Sequence, residues 1–154
     1  MKMAINIHDL MAKANNVTNL TSGIGTGGTS KMSLTVVYNR NGKRIEMNRK
    51  LAETLKLADT AQISFVPEEG IVLLGKYLTD DTDKCIQLTL KDEYDKIKER
   101  VTGKKIAYSA EASFSVASNF GIDFSKITSK SFSGIEIDDS NPDTPVAVIT
   151  IARV

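Results

Sequence analysis

Short apolar runs separated by turn-forming residues dominate this chain, a pattern of strands with few and short helices. Ser33 to Asn39 is rich in β-branched and aromatic residues (Val36, Val37, Tyr38) and predicts a strand. Arg40-Asn41-Gly42 then supplies a hairpin turn, because Asn and Gly both tolerate positive φ, and Lys43 to Met47 returns. Asn48 is placed to cap a helix over Arg49 to Leu57, with Leu51, Ala52 and Leu55 inward. Gln62 to Val66 and Ile71 to Leu74 flank Pro67-Glu68-Glu69-Gly70, a second hairpin. Ile86, Leu88 and Leu90 alternate with polar positions, so Lys84 to Leu90 reads as a half-buried strand. Tyr94, Ile97 and Val101 fall at helical spacing and predict an amphipathic helix over Lys91 to Val101, ended by Gly103. A strand over Lys104 to Tyr108 and a helix over Ala110 to Phe120 come next. Ser131 to Ile137 and Val146 to Ala152 close the pattern as strands around a polar loop. Near the N-terminus, Ile7, Leu10, Met11 and Ala14 share a helical face, and Thr21 to Ser30 is a Gly/Thr/Ser-rich connector.

The plan repeats. Gly42-Lys43-Arg44-Ile45, a helix, and two apolar strands are followed 61 residues on by Gly103-Lys104-Lys105-Ile106, a helix, and two apolar strands. Self-similarity at an offset is the mark of one structural unit used twice. The expected organisation is a flexible arm and Gly-rich linker over 1–31, a first half over 32–79, and a divergent second half with an inserted helix over 80–154. The expected fold class is α+β, mostly antiparallel strands with short helices, the two related halves forming one compact body. Its core is expected to draw on Val36, Ile45, Leu55, Ile63, Phe65, Val72, Leu74, Ile106, Phe120, Ile137, Val148 and Ile151.

Composition narrows the function classes. Lys plus Arg number 20 and Asp plus Glu 19, a net charge of +1, so any nucleic-acid site has to come from local grouping of charge. The single cysteine, Cys85, allows no intrachain disulfide and fits a reducing compartment. No apolar run approaches the ~20 residues that span a bilayer. The N-terminus lacks the apolar core of a secretory signal, so a cytoplasmic location is expected. Gly23 to Gly28 spells G-x-G-x-x-G but leads into a strand rather than a helix N-terminus, and reads as linker. His8 has no partner at ligand spacing, and Cys85 sits in a strand pattern typical of a structural thiol. Asp80-Asp81-Thr82-Asp83 lacks the glycine and terminal glutamate of a calcium loop. No catalytic constellation stands out, so neither an enzyme nor a cofactor or metal site is expected.

Basic residues do group. Arg40, Lys43, Arg44, Arg49 and Lys50 lie in and after the first hairpin; Lys96, Lys98, Arg100, Lys104 and Lys105 lie in the corresponding part of the second half. Phosphate binding needs cations on one face, since affinity comes from neutralising neighbouring phosphates and releasing counterions.

The run Gly42-Lys43-Arg44-Ile45, Leu51 to Asp59, Gln62-Ile63-Ser64-Phe65 and Glu69-Gly70-Ile71-Val72-Leu73-Leu74 resembles the AbrB/MazE-type swapped-hairpin DNA-binding domain over about Ser33 to Lys76. Leu55-Lys56-Leu57, and Phe120-Gly121-Ile122 in the second half, resemble that family's Leu-Gly-Leu step. The resemblance implies a transcription regulator or antitoxin that binds double-stranded DNA through a basic hairpin face, in a family whose members are usually dimers. It places DNA contacts on Arg40, Lys43, Arg44, Arg49 and Lys50, with Lys104 and Lys105 as weaker equivalents, and leaves a homo-oligomer open. Glu46-Met47-Asn48 stands where the family carries proline, and Glu46 adds a negative charge near the expected DNA face. That departure keeps a second expectation alongside: a protein-binding inhibitor or adaptor on the same scaffold, of the kind encoded by phages and bacterial mobile elements.

Overall fold

The structure, a computed structural model, describes residues 31–151. The expected N-terminal helix, the connector and His8 lie outside those residues. Ten strands and two α-helices form the described chain. They are β1 (Leu34–Tyr38), β2 (Lys43–Met47), α1 (Arg49–Thr54), β3 (Thr60–Val66), β4 (Ile71–Gly75), β5 (Ile86–Thr89), β6 (Lys91–Asp95), β7 (Arg100–Ala107), α2 (Ala110–Phe120), β8 (Ser129–Phe132), β9 (Ile135–Asp138) and β10 (Val146–Thr150). They build two five-stranded sheets of order β6-β7-β2-β1-β8 and β5-β3-β4-β10-β9, called A and B below. All strand pairings are antiparallel.

Each sheet takes strands from both sides of Asp80 and joins them at its centre. In sheet A, β2 meets β7 with Ile45 opposite Ala107 and Met47 opposite Lys105. In sheet B, β4 meets β10 with Leu74 opposite Ala147 and Val72 opposite Ile149. The helices cross over as well. α1, which follows the β1–β2 hairpin, packs against β7; α2, which follows β7, packs against β1 and β2.

One core lies between the sheets. Val36, Ile45 and Met47 from sheet A, Ile63, Leu74 and Ile149 from sheet B, and Leu51, Leu55, Val116 and Phe120 from the helices pack in a single cluster. Ten of the twelve expected core residues are buried, and Phe65 and Ile137 pack against the core half-buried. A smaller cluster of Ile71, Leu73 and Val148 sits on the other face of sheet B, with Leu78 packed over it. The segment after β4 folds back there. Gln62 Oε1 accepts hydrogen bonds from the backbone N–H groups of Leu78 and Thr79 at 2.6 and 3.0 Å, and Ser64 Oγ donates to the carbonyl of Lys84 at 2.6 Å.

Several expectations need correction. Lys91 to Val101 is not a helix but β6, a turn and the start of β7. The Asp95 carboxylate accepts from the backbone N–H groups of Ile97 and Lys98, and Glu99 is left-handed at φ 52°. A short side chain bonding to its own turn competes directly with helix. The apolar spacing that suggested a buried helical face is instead exposed. Gly103, expected as a helix stop, lies inside β7 at φ 92°, where the pairing with β6 is irregular between Asp92 and Tyr94.

Ser131 to Ile137 is two strands rather than one. β8 ends in sheet A at Phe132, and β9 begins in sheet B at Ile135. The first hairpin forms where expected, but neither Asn41 nor Gly42 adopts positive φ. Asn39 Oδ1 accepts the Asn41 and Gly42 N–H groups at 2.8 and 2.9 Å and builds the turn itself.

Candidate nucleic-acid interface

The basic residues divide into a neutralised centre and two open ends. At the centre, side by side on sheet A, Glu46 projects from β2. Its carboxylate accepts Arg44 Nε at 2.5 Å and Lys104 Nζ at 2.6 Å, and its side chain is 12% exposed. Lys104 reaches Glu93 on β6 as well, at 3.5 Å. The neighbouring Lys105 pairs with Asp92 at 2.6 Å. Burial opposes ionisation of Glu46, but the hydrogen bonds and charges of Lys104 and Arg44 outweigh it and hold the carboxyl below the usual range. Burial likewise disfavours the Lys104 cation, yet Glu46 and Glu93 keep its pKa above the ordinary lysine value. Three of the seven expected DNA contacts, Arg44, Lys104 and Lys105, are therefore half-buried and engaged by carboxylates.

Arg40 and Lys43 occupy one end of sheet A, at the β1–β2 turn. Lys43 Nζ lies 5.8 Å from the centroid of the Tyr38 ring, which a cation–π contact favours. Arg49 and Lys50 occupy the other end, in the first turn of α1. Asn48 caps that helix, its Oδ1 accepting the Leu51 N–H at 3.0 Å, and its side chain also bridges to Lys31 and Ser33. Arg49 pairs with Glu53 one turn on, at 2.9 Å, with both side chains well exposed. β2 separates these ends by about 16 Å, from ~3.3 Å per residue over its five residues. The structure therefore does not bring the seven residues into one free positive face.

It assembles another group at the α1 end. The β6–β7 hairpin runs past the end of β2 and carries Lys96 at its turn and Lys98 and Arg100 beside Arg49. Arg49, Lys98, Arg100 and Val101 line one cleft with Glu53, Asp95, Thr102 and Gly103. Among the described residues no ion pair involves Lys96, Lys98, Arg100, Lys50, Arg40 or Lys43. The basic spacing around Lys96 was visible in the sequence, but assigning that stretch to a helix hid its position on a ribbon.

The two sheets also differ in charge. The segments of sheet A with its first helix (34–54, 91–107 and 129–132) hold twelve Lys and Arg against six Asp and Glu, a net of +6. The segments of sheet B with their connections (60–90 and 135–150) hold two Lys against nine Asp and Glu, a net of −7. The near-neutral total conceals a separation between the two layers.

Cys85 is half-buried at the rim of a groove of about 800 Å³ bordered by Phe65, Val66, Glu111 and Ser115. Burial and the charge of Asp81 push its thiol pKa up, away from the reactive thiolate. Among the described residues no group of three or more His, Cys, Asp or Glu is placed to hold a metal ion, and no helix is long and apolar enough to cross a membrane. No family model, curated protein or solved structure matches the chain.

Proposed function

We propose that this chain is a non-enzymatic DNA-binding protein, a transcription regulator or antitoxin-like factor, built on two related halves of the AbrB/MazE swapped-hairpin plan within one chain. Under this reading β1-β2-α1-β3-β4 corresponds to β6-β7-α2-β9-β10, with β5 and β8 added at sheet edges. Three features support the correspondence. With the edge strands β8 and β5 set aside, the remaining four strands of each sheet are ordered symmetrically about a pair, β7/β2 and β4/β10. Each helix packs on the hairpin of the other half. The middle residue of each Leu-x-Leu-like step is left-handed, Lys56 at φ 58° and Gly121 at φ 63°. With β6 and β7 as strands, the inserted helix that set the second half apart disappears.

The charge separation between the sheets carries the functional reading. A net of +6 on one layer attracts a polyanion and orients it, while the acidic layer is turned away. The contacts fall on the ends of sheet A, with Lys96, Lys98 and Arg100 joining Arg40, Lys43, Arg49 and Lys50.

Titration of a fluorescent 25-base-pair duplex by anisotropy, between about 20 and 200 mM salt, tests the reading. Binding should fall steeply with salt, with a slope of about −0.9 per phosphate neutralised. Replacing Lys96, Lys98 and Arg100 by Ala should weaken binding and flatten that slope. No binding at the lowest salt removes the reading.

One observation favours the second reading, a protein-binding inhibitor or adaptor. Glu46 neutralises Arg44 and Lys104 at the middle of the expected DNA face. Recovery of one stoichiometric host protein after nuclease treatment, with no duplex binding, would select it.

A further inference from the structure

The β6–β7 hairpin ends in an apolar side chain that packing does not account for. Ile97 stands at the turn between the strands and is 93% exposed. Behind it, Tyr94 and Val101 face each other directly across the ribbon, and each is 55% exposed. Side chains opposite one another on paired strands lie on the same face. A solvated turn gains nothing from isoleucine, and turns of this kind usually carry polar residues. The turn is also well held. Both the Ile97 and Lys98 N–H groups are bound by Asp95 Oδ1, at 2.9 and 3.1 Å. Ile97 is therefore presented in one place rather than on a loose loop.

Its neighbours choose the partner. Lys96 and Lys98 flank it and Arg100 follows, all exposed and without ion pairs among the described residues. The Asp95 carboxylate binds the two turn amides and keeps its charge, so Asp95 and Glu99 are the two counter-charges nearest the tip. An apolar tip on a two-stranded ribbon, with the cations Lys96, Lys98 and Arg100 outnumbering Asp95 and Glu99, suits a duplex groove. The cations hold phosphates on either side, and the apolar side chain is sheltered only by entering the base stack. An apolar pocket on a protein would shelter Ile97 equally well, but nothing in that fit calls for the three surrounding cations.

We propose that the β6–β7 hairpin is a minor-groove arm that inserts Ile97 between base pairs and so kinks duplex DNA. This rests on the DNA-binding reading above and goes beyond it by giving the arm a mechanical role. β7 is paired to β2 only through Lys105 to Ala107; from Gly103 outward the ribbon leaves that neighbour and is flanked on one side by Arg49 and Glu53 of α1. About five further residues at ~3.3 Å each carry the tip roughly 16 Å beyond the last pairing with β2. That spans the ~7.5 Å depth of the minor groove. Unstacking one step costs a few kcal/mol, and least at flexible pyrimidine–purine steps, so the arm should favour duplexes with a central TA step.

The test is end-to-end energy transfer on a 30-base-pair duplex labelled at both ends, with and without a central TA step. The full chain is compared with Ile97→Ser, Ile97→Leu and the Lys96, Lys98, Arg100→Ala variant. Because Ile97 is almost wholly exposed, its replacements leave the fold intact. The wild-type chain should shorten the end-to-end distance, more so with the TA step. Ile97→Ser should still bind, within about tenfold by anisotropy, but leave the duplex straight, and Ile97→Leu should restore the bend. Wild-type binding without bending, or equal bending by Ile97→Ser, overturns the arm and leaves DNA binding standing. No binding by the wild-type chain overturns the DNA reading and the arm with it.

Discussion

Glu46 decides how much of the positive charge on sheet A is available. One carboxylate, nearly out of solvent, holds Arg44 and Lys104 together. Replacing it by Gln keeps the shape and hydrogen-bonding capacity but releases two cations. If sheet A meets DNA, Glu46→Gln should tighten duplex binding and steepen the salt slope by about one to two units, read by anisotropy. The same change should lower folding stability by about 1–2 kcal/mol, between the value of an exposed pair and that of a buried one.

The pH dependence of that loss follows from the shifts. Glu46 has a folded pKa below its unfolded value, so its contribution is complete above the unfolded pKa and is lost as pH falls through the folded one. Lys104 has a folded pKa above its unfolded value, so its contribution is complete below the unfolded pKa and is lost as pH rises through the folded one. The triad is whole from about pH 5 to about pH 10, the span between ordinary Glu and Lys pKa values. Urea unfolding of the wild type and Glu46→Gln should therefore differ at pH 7 and converge as pH falls below the ordinary glutamate pKa and through the lowered folded one. An unchanged gap at acid pH would mean that the carboxylate charge is not what matters.

At the scale of elements, much of the fold was legible. β1 to β4, α1 and α2 follow directly from β-branched runs, an Asn cap and turn residues. Stretches whose local signals are contradictory were not. In Lys91 to Val101 the apolar spacing favours a helix, while Asp95 bonding to its own turn and the β7–β2 pairing favour a ribbon. The second influence is long-range and has no local signature. Ser133-Gly134 gives no hint that the chain changes sheets there, because β8 and β9 are defined only by their partners, β1 and β10. The candidate site suffered the same way. The cations were visible as a list, but their neutralisation by Glu46, Asp92 and Glu53 depends on which strands become neighbours.

The αL residues offer a test at this scale. Lys56 holds a conformation that costs a side-chain-bearing residue about 1 kcal/mol, whereas Gly121 adopts the same one freely. Lys56→Gly should raise stability by roughly 0.5 kcal/mol, a gain trimmed by the lost hydrogen bond from Lys56 Nζ to the Pro142 carbonyl and by the entropy of glycine in the unfolded chain. Gly121→Ala should lower it by about 1 kcal/mol. Both are read from chemical unfolding midpoints at constant m-value.

For the whole molecule, a total charge of +1 is the least informative number. The layers carry opposite charge, and the acids on the segment after β4 and the β9–β10 connection give sheet B a surface that repels polyanions. If the chain binds DNA as proposed, this arrangement selects one orientation. Replacing Lys76 and Lys84, the two lysines of the acidic layer, by Ala should leave duplex affinity within about twofold. The most direct measurement is a titration of the 15N-labelled chain with a short duplex, following every backbone amide. Shifts should gather on sheet A, at residues 40–50 and 94–105, and fade together as salt is raised. Shifts confined to the loops of sheet B, or none at low salt, would contradict the assignment of sheet A as the DNA-binding layer.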